Sequence, residues 1–452
     1  MTARPLLRPD AAVAMRTNVN FVARTGESEE QVLEQYFDRL WPLMRSISGP
    51  GARASHDILR ELVQFTDIEV ESGTACFDWQ VPSEWVFRDA YVVAPDGAKI
   101  LDARQNTLRL VNGSVSFRGV LDRVELDAHL HSAPDKPDVI PYVTSYYAPR
   151  WGFCLTQRER DALPDGQYEV VVDADLVEGG ILLSEAIIPG ATADEVLVST
   201  YTCHPSMAND NLSGLLVAAM LHRRVSAWEE RRLTYRFVWL PETIGAIAYL
   251  ARYGEHFREH LVAGYVCSCI GDDAPFTYKR SRRGDTTADR AALHVLRGMH
   301  GDALRVMDFE PTGSDERQYC SPAYNLPVGV IARSIYTRYP EYHTSADDKS
   351  FISFAAMVES VDAYETTLQV LDRNVTLTRT DPRCEPQLGK RGLYPNLGAG
   401  SRGAQEIAAL RWVLNFSDGD HDLLAIAERS GLPFPAIADS ADKCLASGLL
   451  RR

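Results

Sequence analysis

Apolar and polar positions recur with two different periods along this chain, and the switches between them divide it. Over residues 28–45, Val32, Tyr36, Leu40 and Leu43 return at helical spacing behind Ser28, a residue suited to cap a helix. A second helix is expected from Ser55 to Phe65. From about residue 73 to 180 the pattern becomes short alternating runs, including Ala90 to Val93, Thr107 to Val111, Ser114 to Phe117 and Tyr168 to Asp173. Turn sequences such as Pro95-Asp96-Gly97 and Asn112-Gly113 break them, which predicts a β-rich insert. From 181 onward, strand-length apolar runs alternate with longer runs of helical period. Strands are expected over 195–201, 233–240, 263–269, 303–308 and 327–332, and helices over 212–226, 244–253, 289–299 and 351–370. That alternation predicts an α/β fold with a mostly parallel twisted sheet flanked by helices. Beyond 400 the spacing is helical again. The expected division is 1–72 as the N-terminal helical part of the core, 73–180 as the insert, 181–380 as the core and 381–452 as a small C-terminal domain. Residues 1–27 read as a lead-in.

Composition narrows this picture. At 452 residues the chain exceeds one ordinary domain, and 45% apolar with 24% charged residues suits a soluble protein with a large core. A formal net charge of -15 opposes a nucleic-acid or anionic-membrane partner, since phosphate recognition needs a basic footprint. It permits a cationic group, such as a free amine, to approach. The eight cysteines show no zinc-finger spacing, and Cys267-Ser268-Cys269 is too tight for one. Most lie in apolar runs and read as buried, reduced thiols of a reducing compartment. Residues 1–20 lack the continuous apolar core of a signal peptide. No apolar run approaches the ~20 residues that span a bilayer. No membrane association and a cytoplasmic location are therefore expected; a homo-oligomer is compatible with the sequence.

Chemistry concentrates in the stretch Cys203-His204-Pro205-Ser206-Met207-Ala208-Asn209-Asp210-Asn211-Leu212-Ser213-Gly214. It follows the apolar run from Val196 to Thr200 and precedes an apolar helical run, so it is a polar loop at a strand end. Ligands of open α/β sheets bind at the carboxyl ends of strands. Tyr342-His343-Thr344-Ser345-Ala346-Asp347 lies far downstream, and Glu242 stands in Leu240-Pro241-Glu242-Thr243-Ile244-Gly245. Zinc hydrolysis needs neutral imidazoles and carboxylates as ligands, an open position for water and a nearby base. His204, Asp210 and His343 fit the first requirement and Glu242 the last. Taken singly, each has a plainer role. His204 suits a loop, Asp210 a helix cap, Glu242 a first-turn carboxylate and Asp347 a cap for the helix at Phe351. Their order and their placement at strand ends favour the joint reading.

These pieces resemble the zinc aminopeptidase and glutaminyl cyclase superfamily, whose fold is a zinc-exopeptidase-like α/β sheet. Its members carry an early His, a bridging Asp in an Asn-Asp-Asn-x-Ser-Gly loop, a Glu pair before a helix, a Ser-Asp-His motif and a Tyr-His-Thr-x-x-Asp motif. Here these correspond to His204, to Asp210 in Asn209-Asp210-Asn211-Leu212-Ser213-Gly214, to Glu242, to Ser314-Asp315-Glu316 and to Tyr342 through Asp347. The likeness spans roughly 30–70 and 181–375. A narrower likeness, nearly chain-long, is to bacterial aminopeptidase-like proteins with a β-rich insert and a C-terminal winged helix. Tyr142-Val143-Thr144-Ser145-Tyr146-Tyr147, Trp151-Gly152-Phe153-Cys154 and Gly389-Lys390-Arg391-Gly392-Leu393-Tyr394 carry it. This chain departs from the di-zinc pattern. His204-Pro205-Ser206 replaces His-x-Asp, Thr243 stands where the second Glu would, Ser268 where a further acidic ligand would, and Glu316 where a His would.

The resemblance implies one zinc per chain held by His204, Asp210 and His343, with water in the fourth position. Glu242 would be the general base, and Asp272 or Glu316 is the candidate for a fourth protein ligand. Asp315 and Glu316 would anchor a substrate amine or orient a ligand imidazole, Asp272 would lie near the substrate, and Tyr146, Tyr147 and Trp151 would wall the pocket or pack the insert. The basic run Lys279 to Arg283 reads as a solvated loop in preference to an anion site. The expected function is zinc-dependent amide or peptide hydrolysis of aminopeptidase type on a small peptide or aminoacylated metabolite. Acyl transfer or cyclisation of glutaminyl cyclase type, and a non-catalytic binding protein retaining the fold, are the alternatives. Residues 423–433 and 434–450 have winged-helix texture, but the second helix offers Asp439, Asp442 and a single Lys443 where base reading needs Arg, Lys, Asn or Gln. No nucleic acid is expected as a partner.

Overall fold

The computed structural model describes residues 27–393 and 400–452. The lead-in read over 1–27 lies outside them but for Glu27, as does Tyr394 of the Gly389–Tyr394 string.

An eight-stranded sheet forms the centre. Its order is Thr66–Glu71, Gly180–Ile188, Thr234–Leu240, Glu195–Tyr201, Leu261–Cys267, Val328–Ala332, Thr277–Lys279, Arg305–Met307. The four strands from Thr234–Leu240 to Val328–Ala332 run parallel. Every residue of Glu195–Tyr201 and of Thr234–Leu240 is buried, as expected where helices cover both faces of a parallel sheet. Helices Glu29–Leu40, Gly214–Ser226, Thr287–His300 and Phe354–Arg373 pack into one apolar cluster on one face; Ile244–His260 belongs to the cluster on the other. Arg236 lies inside the sheet, and its charge is met by Glu185 and Glu195 at 2.8 Å each.

The mostly parallel α/β core expected from the sequence is present, with two additions. Gly180–Ile188 runs antiparallel between Thr66–Glu71 and Thr234–Leu240. Its sequence, GILLSEAII, is buried almost throughout and so lacks the alternation that marks a strand with one wet face. The far edge is also antiparallel, where Thr277–Lys279 meets Val328–Ala332. This corrects the reading of Lys279 to Arg283 as a solvated loop, for Lys279 is fully buried and bonds Glu316 at 2.7 Å.

The insert holds its own four-stranded antiparallel sheet, ordered Lys99–Ile100, Glu84–Val93, Gln167–Val177, Phe117–Asp122, over a core that includes Trp85, Val92 and Phe153. Its loop over 140–147 returns to the main body, where the Tyr142 amide donates to the His343 carbonyl at 2.8 Å. The C-terminal unit combines helices Gly400–Phe416, Leu423–Ser430 and Phe434–Ala446 with a three-stranded sheet that begins at Thr376, ahead of residue 381. Leu424 and Ile437 join the apolar cluster of the main body. Arg290 pairs with Asp422 and Glu428, and Arg373 with Asp439 and Asp442.

His56 offers a test of the packing between the N-terminal helices and the sheet. It is fully buried, and its Nδ1 lies 2.7 Å from the Ser184 hydroxyl, which itself donates to Asp67 at 2.8 Å. Nδ1 therefore carries the proton, and Nε2 has no partner. Burial pushes the imidazole down to about 4. The folded state resists protonation and the unfolded chain does not, so this group's stability is complete above about pH 6.5 and is lost as pH falls towards 4. The loss should reach about 3 kcal/mol. Thermal unfolding of His56→Gln should show a shallower decline between pH 7.5 and 4.5 than the unaltered protein; parallel declines would remove His56 from the acid response.

Candidate metal centre

Parallel strands end at the same edge of a sheet, and this geometry brings distant residues together. Glu195–Tyr201 leads into Cys203 and His204, and the kinked turn Ala208–Ser213 that follows carries Asp210. Thr234–Leu240 leads into Glu242, Leu261–Cys267 into Ser268, and the chain after Val328–Ala332 into His343. One donor atom each from His204, Asp210 and His343 lie within 4.8 Å of one another. His343 Nε2 is 3.1 Å from Asp210 Oδ2, and His204 Nε2 is 3.8 Å from Glu242 Oε2. Four left-handed residues surround the site: Ser206, Thr243, Cys269 and His343, with φ of 39, 65, 51 and 53°. Such strain persists only where neighbours enforce it, and it gathers at functional sites.

Each ligand candidate is held from behind. Arg45 Nε donates to the His204 carbonyl at 2.8 Å, and Cys203 Sγ sits 3.3 Å from His204 Nδ1, so Nε2 faces the cleft. The Tyr201 hydroxyl donates to Asp210 Oδ1 at 2.6 Å and lies 2.7 Å from Ser268 Oγ. Asp347 accepts the backbone amides of Asn209 and Asp210 at 2.6 and 3.0 Å, so it clamps the turn and does not cap a helix. Tyr342 stacks on His343 with ring centres 3.9 Å apart, and Tyr142 sits edge-on to the same imidazole at 5.1 Å.

The electrostatics suit a cation. Burial pushes His204 down to about 4, which leaves a neutral imidazole with a free lone pair. Burial would raise Asp210, but the adjacent His204 and His343 hold it at about 2, so it is ionised. Glu242 is driven well up, by burial first and then by Asp315 and Asp210. The cleft thus gathers more carboxylates than it has internal positive charge to balance. His343 Nε2 approaches Asp210 Oδ2 at 3.1 Å, so the two side chains turn to a common point. Two imidazoles and one carboxylate offer the donors of a three-residue zinc site that leaves a fourth position open. The hydroxyls that replace the further acidic ligands are otherwise engaged: Thr243 Oγ1 accepts from Arg317 at 2.8 Å, and Ser268 bonds Tyr201. Cys203, His204 and Glu242 form a second close group, but burial pushes the Cys203 thiol up, where it is a poor ligand.

The centre opens into a cavity of about 320 Å³ lined by His204, Glu242, His343, Arg317 and several aromatic side chains. Tyr146 and Tyr147 are among these, whereas Trp151 stacks on Phe117 and His129 inside the insert. The structure places the other three acids differently from the sequence reading. Asp315 is fully buried behind the cleft, where its Oδ1 accepts the Thr243 amide at 2.7 Å; burial pushes it up to about 7. Glu316 is committed to Lys279 and Tyr336, at 2.7 and 2.9 Å. Asp272 accepts from Asn209 Nδ2 at 2.9 Å and from Ser334, so it braces the ligand turn. None of the three lines the cavity, and a role in touching substrate is withdrawn for each. The sequence reading missed Tyr201, Arg45 and Arg317. Tyr201 ends an apolar strand, and Arg45 and Arg317 lie in no motif; only the fold brings them near.

Comparison with known proteins agrees with this architecture. Residues 34–374 match the family described as "Domain of unknown function (DUF4910)", and residues 375–452 match a winged helix-turn-helix family. A Clostridium acetobutylicum protein named "Putative polysaccharide biosynthesis protein with aminopeptidase-like domain" is 42% identical over 415 residues, 92% of this chain and 94% of that protein. A crystal structure of a "putative peptidase" from Clostridium acetobutylicum superposes with a TM-score of 0.87 at 39% identity, over 94% of this chain and 97% of that one. BSAP, a zinc aminopeptidase from Bacillus subtilis, shares the fold at a TM-score of 0.56 and 12% identity, over 79% and 96%. The protein belongs to the DUF4910 family, an aminopeptidase-like α/β unit that here continues into a C-terminal winged helix.

Proposed function

We propose that this protein is a zinc-dependent amide hydrolase of aminopeptidase type, acting on a small peptide or an aminoacylated metabolite. One observation carries the reading: His204 and Asp210, from one strand-end loop, and His343, from another, bring their donor atoms within 4.8 Å of one another beside Glu242. A zinc held by those three residues would supply a Lewis acid and water of lowered pKa. Glu242 stands beside that position without belonging to the ligand set, and it takes the proton of the attacking water and returns it to the leaving amine. Tyr201 and Asp347 fix the orientation of Asp210 through its side chain and its amide. Tyr142, Tyr146 and Tyr147 limit the water around the scissile amide.

The winged helix is proposed to serve structure or partner docking, not DNA reading. Asp439 and Asp442 on Phe434–Ala446 pair with Arg373 of the main body, so that helix presents acids where base reading needs donors. Fluorescence titration with random-sequence duplex DNA should give no binding tighter than the non-specific, salt-sensitive range of ~10⁻⁴–10⁻⁶ M; tight, sequence-selective binding would overturn this.

Protein dialysed against zinc and then washed should retain about one equivalent per chain by elemental analysis, and His204→Ala or Asp210→Asn should lose it. Two equivalents in the unaltered protein would refute the three-ligand set. Glu242→Gln should keep its zinc and lose roughly 10²–10⁴-fold in turnover, in screens of aminoacyl amides, dipeptides and acylated amino acids. Undiminished turnover would remove Glu242 from the mechanism, and absence of bound metal would remove the hydrolase reading.

A further inference from the structure

We infer that the substrate carries a carboxylate close to the scissile amide and that Arg317 recognises it. This rests on the hydrolase reading of the same cavity. The acids that the sequence offered as an amine anchor, Asp315 and Glu316, are buried away from the cavity. The charged side chains on its wall are Glu242 and Arg317, beside the two imidazoles. Glu242 is engaged in proton transfer, so the charge left for recognition is positive.

Arg317 is placed for this task. Its Nη2 donates to Thr243 Oγ1 at 2.8 Å, which fixes the guanidinium at the cavity wall. Among the described residues it forms no ion pair within 4.0 Å, although Glu242 and Asp315 are its electrostatic neighbours. A guanidinium has five N–H donors in a planar fork matched to a carboxylate. One is used here, and the rest of the fork is available to a bidentate partner. Thr243 makes the arrangement workable, because a carboxylate at that position would hold Arg317 in an internal salt bridge. Trp79 and Tyr147 line both this cavity and a neighbouring hollow of about 500 Å³, which offers room for the remainder of the substrate.

The test is direct binding to zinc-loaded Glu242→Gln protein, followed by calorimetry. Two probe pairs each differ by one carboxylate: alanyl-glycine against alanyl-glycinamide, and succinyl-alaninamide against acetyl-alaninamide. In one pair or both, the acidic member should bind about ten-fold tighter. Arg317→Gln in the same background should abolish that preference while leaving the neutral member's affinity unchanged, and Arg317→Lys should restore part of it. A carboxylate bound through zinc alone would keep its advantage in Arg317→Gln, and that outcome overturns the inference, as does equal binding within both pairs. The two readings fail separately. An Arg317-dependent preference without turnover by the unaltered protein would sink the hydrolase and keep the anion site; turnover without the preference would do the reverse.

Discussion

Everything at the strand edge depends on keeping one buried charge, the carboxylate of Asp210, in place. It is 1% exposed, and an ionised carboxylate without partners would be costly at that depth. The Tyr201 hydroxyl donates to it at 2.6 Å, and His343 Nε2 approaches it at 3.1 Å. The turn that carries Asp210 is pinned just as firmly. Asn209 accepts the Gly271 amide at 2.8 Å, Asn211 donates to Thr200 Oγ1 and the Tyr201 carbonyl, and Asp347 takes two turn amides. Gly214 completes the constraint. A Cβ there would fall 2.4 Å from the Cys267 carbonyl, so only glycine lets the next helix start against the sheet. The geometry of the candidate ligands is a consequence of this packing.

Legibility in the sequence followed the strength of the local signal. The strand 195–201 and the helices after it were readable because apolar runs of strand and helix length alternate there with polar loops. Gly180–Ile188 was not, because a strand buried on both faces carries no period of two. The ligand candidates were readable because His204, Asp210, Glu242 and His343 each stand in a short motif at the end of such a run. What surrounds them was not. Tyr201 is the last residue of an apolar strand, and nothing local separates it from a core tyrosine. Asp315, Glu316 and Asp272 misled for the opposite reason: acids in motif-like strings drew a substrate role, while their actual partners, Thr243, Lys279 and Asn209, are distant in sequence. A buried lysine such as Lys279 is paired by fold, and a run of basic residues cannot announce which of its members turns inward.

The two added units relate to the site in different ways. The insert is part of it: the Tyr142 amide bonds the His343 carbonyl, the Tyr142 ring stands near both imidazoles, and Tyr146 and Tyr147 form cavity wall. Loss of the insert would therefore unwall the centre and release His343 from one of its restraints. The winged helix sits elsewhere, against Thr287–His300 and Phe354–Arg373, and shares their apolar cluster. Phe354–Arg373 follows the His343–Asp347 loop directly in sequence, which links that docking to the site by one rigid element.

The two hydroxyls at Thr243 and Ser268 change the charge of the centre as well as its ligand count. Where the wider superfamily's pattern would place two more carboxylates, this chain places neutral groups that are already hydrogen-bonded. Each lost carboxylate removes a reason for a second cation. Thr243 also frees Arg317, which an acid at that position would have neutralised. Thr243 thus leaves a guanidinium facing the cavity, next to the carboxyl group proposed as the base. Coulomb attraction at an effective dielectric of about 20 is worth several times its value in water, so one such cation on a half-enclosed wall is enough to bias which amides enter. In this reading the departures from the di-zinc pattern are not erosion of an active site but a change in what it admits.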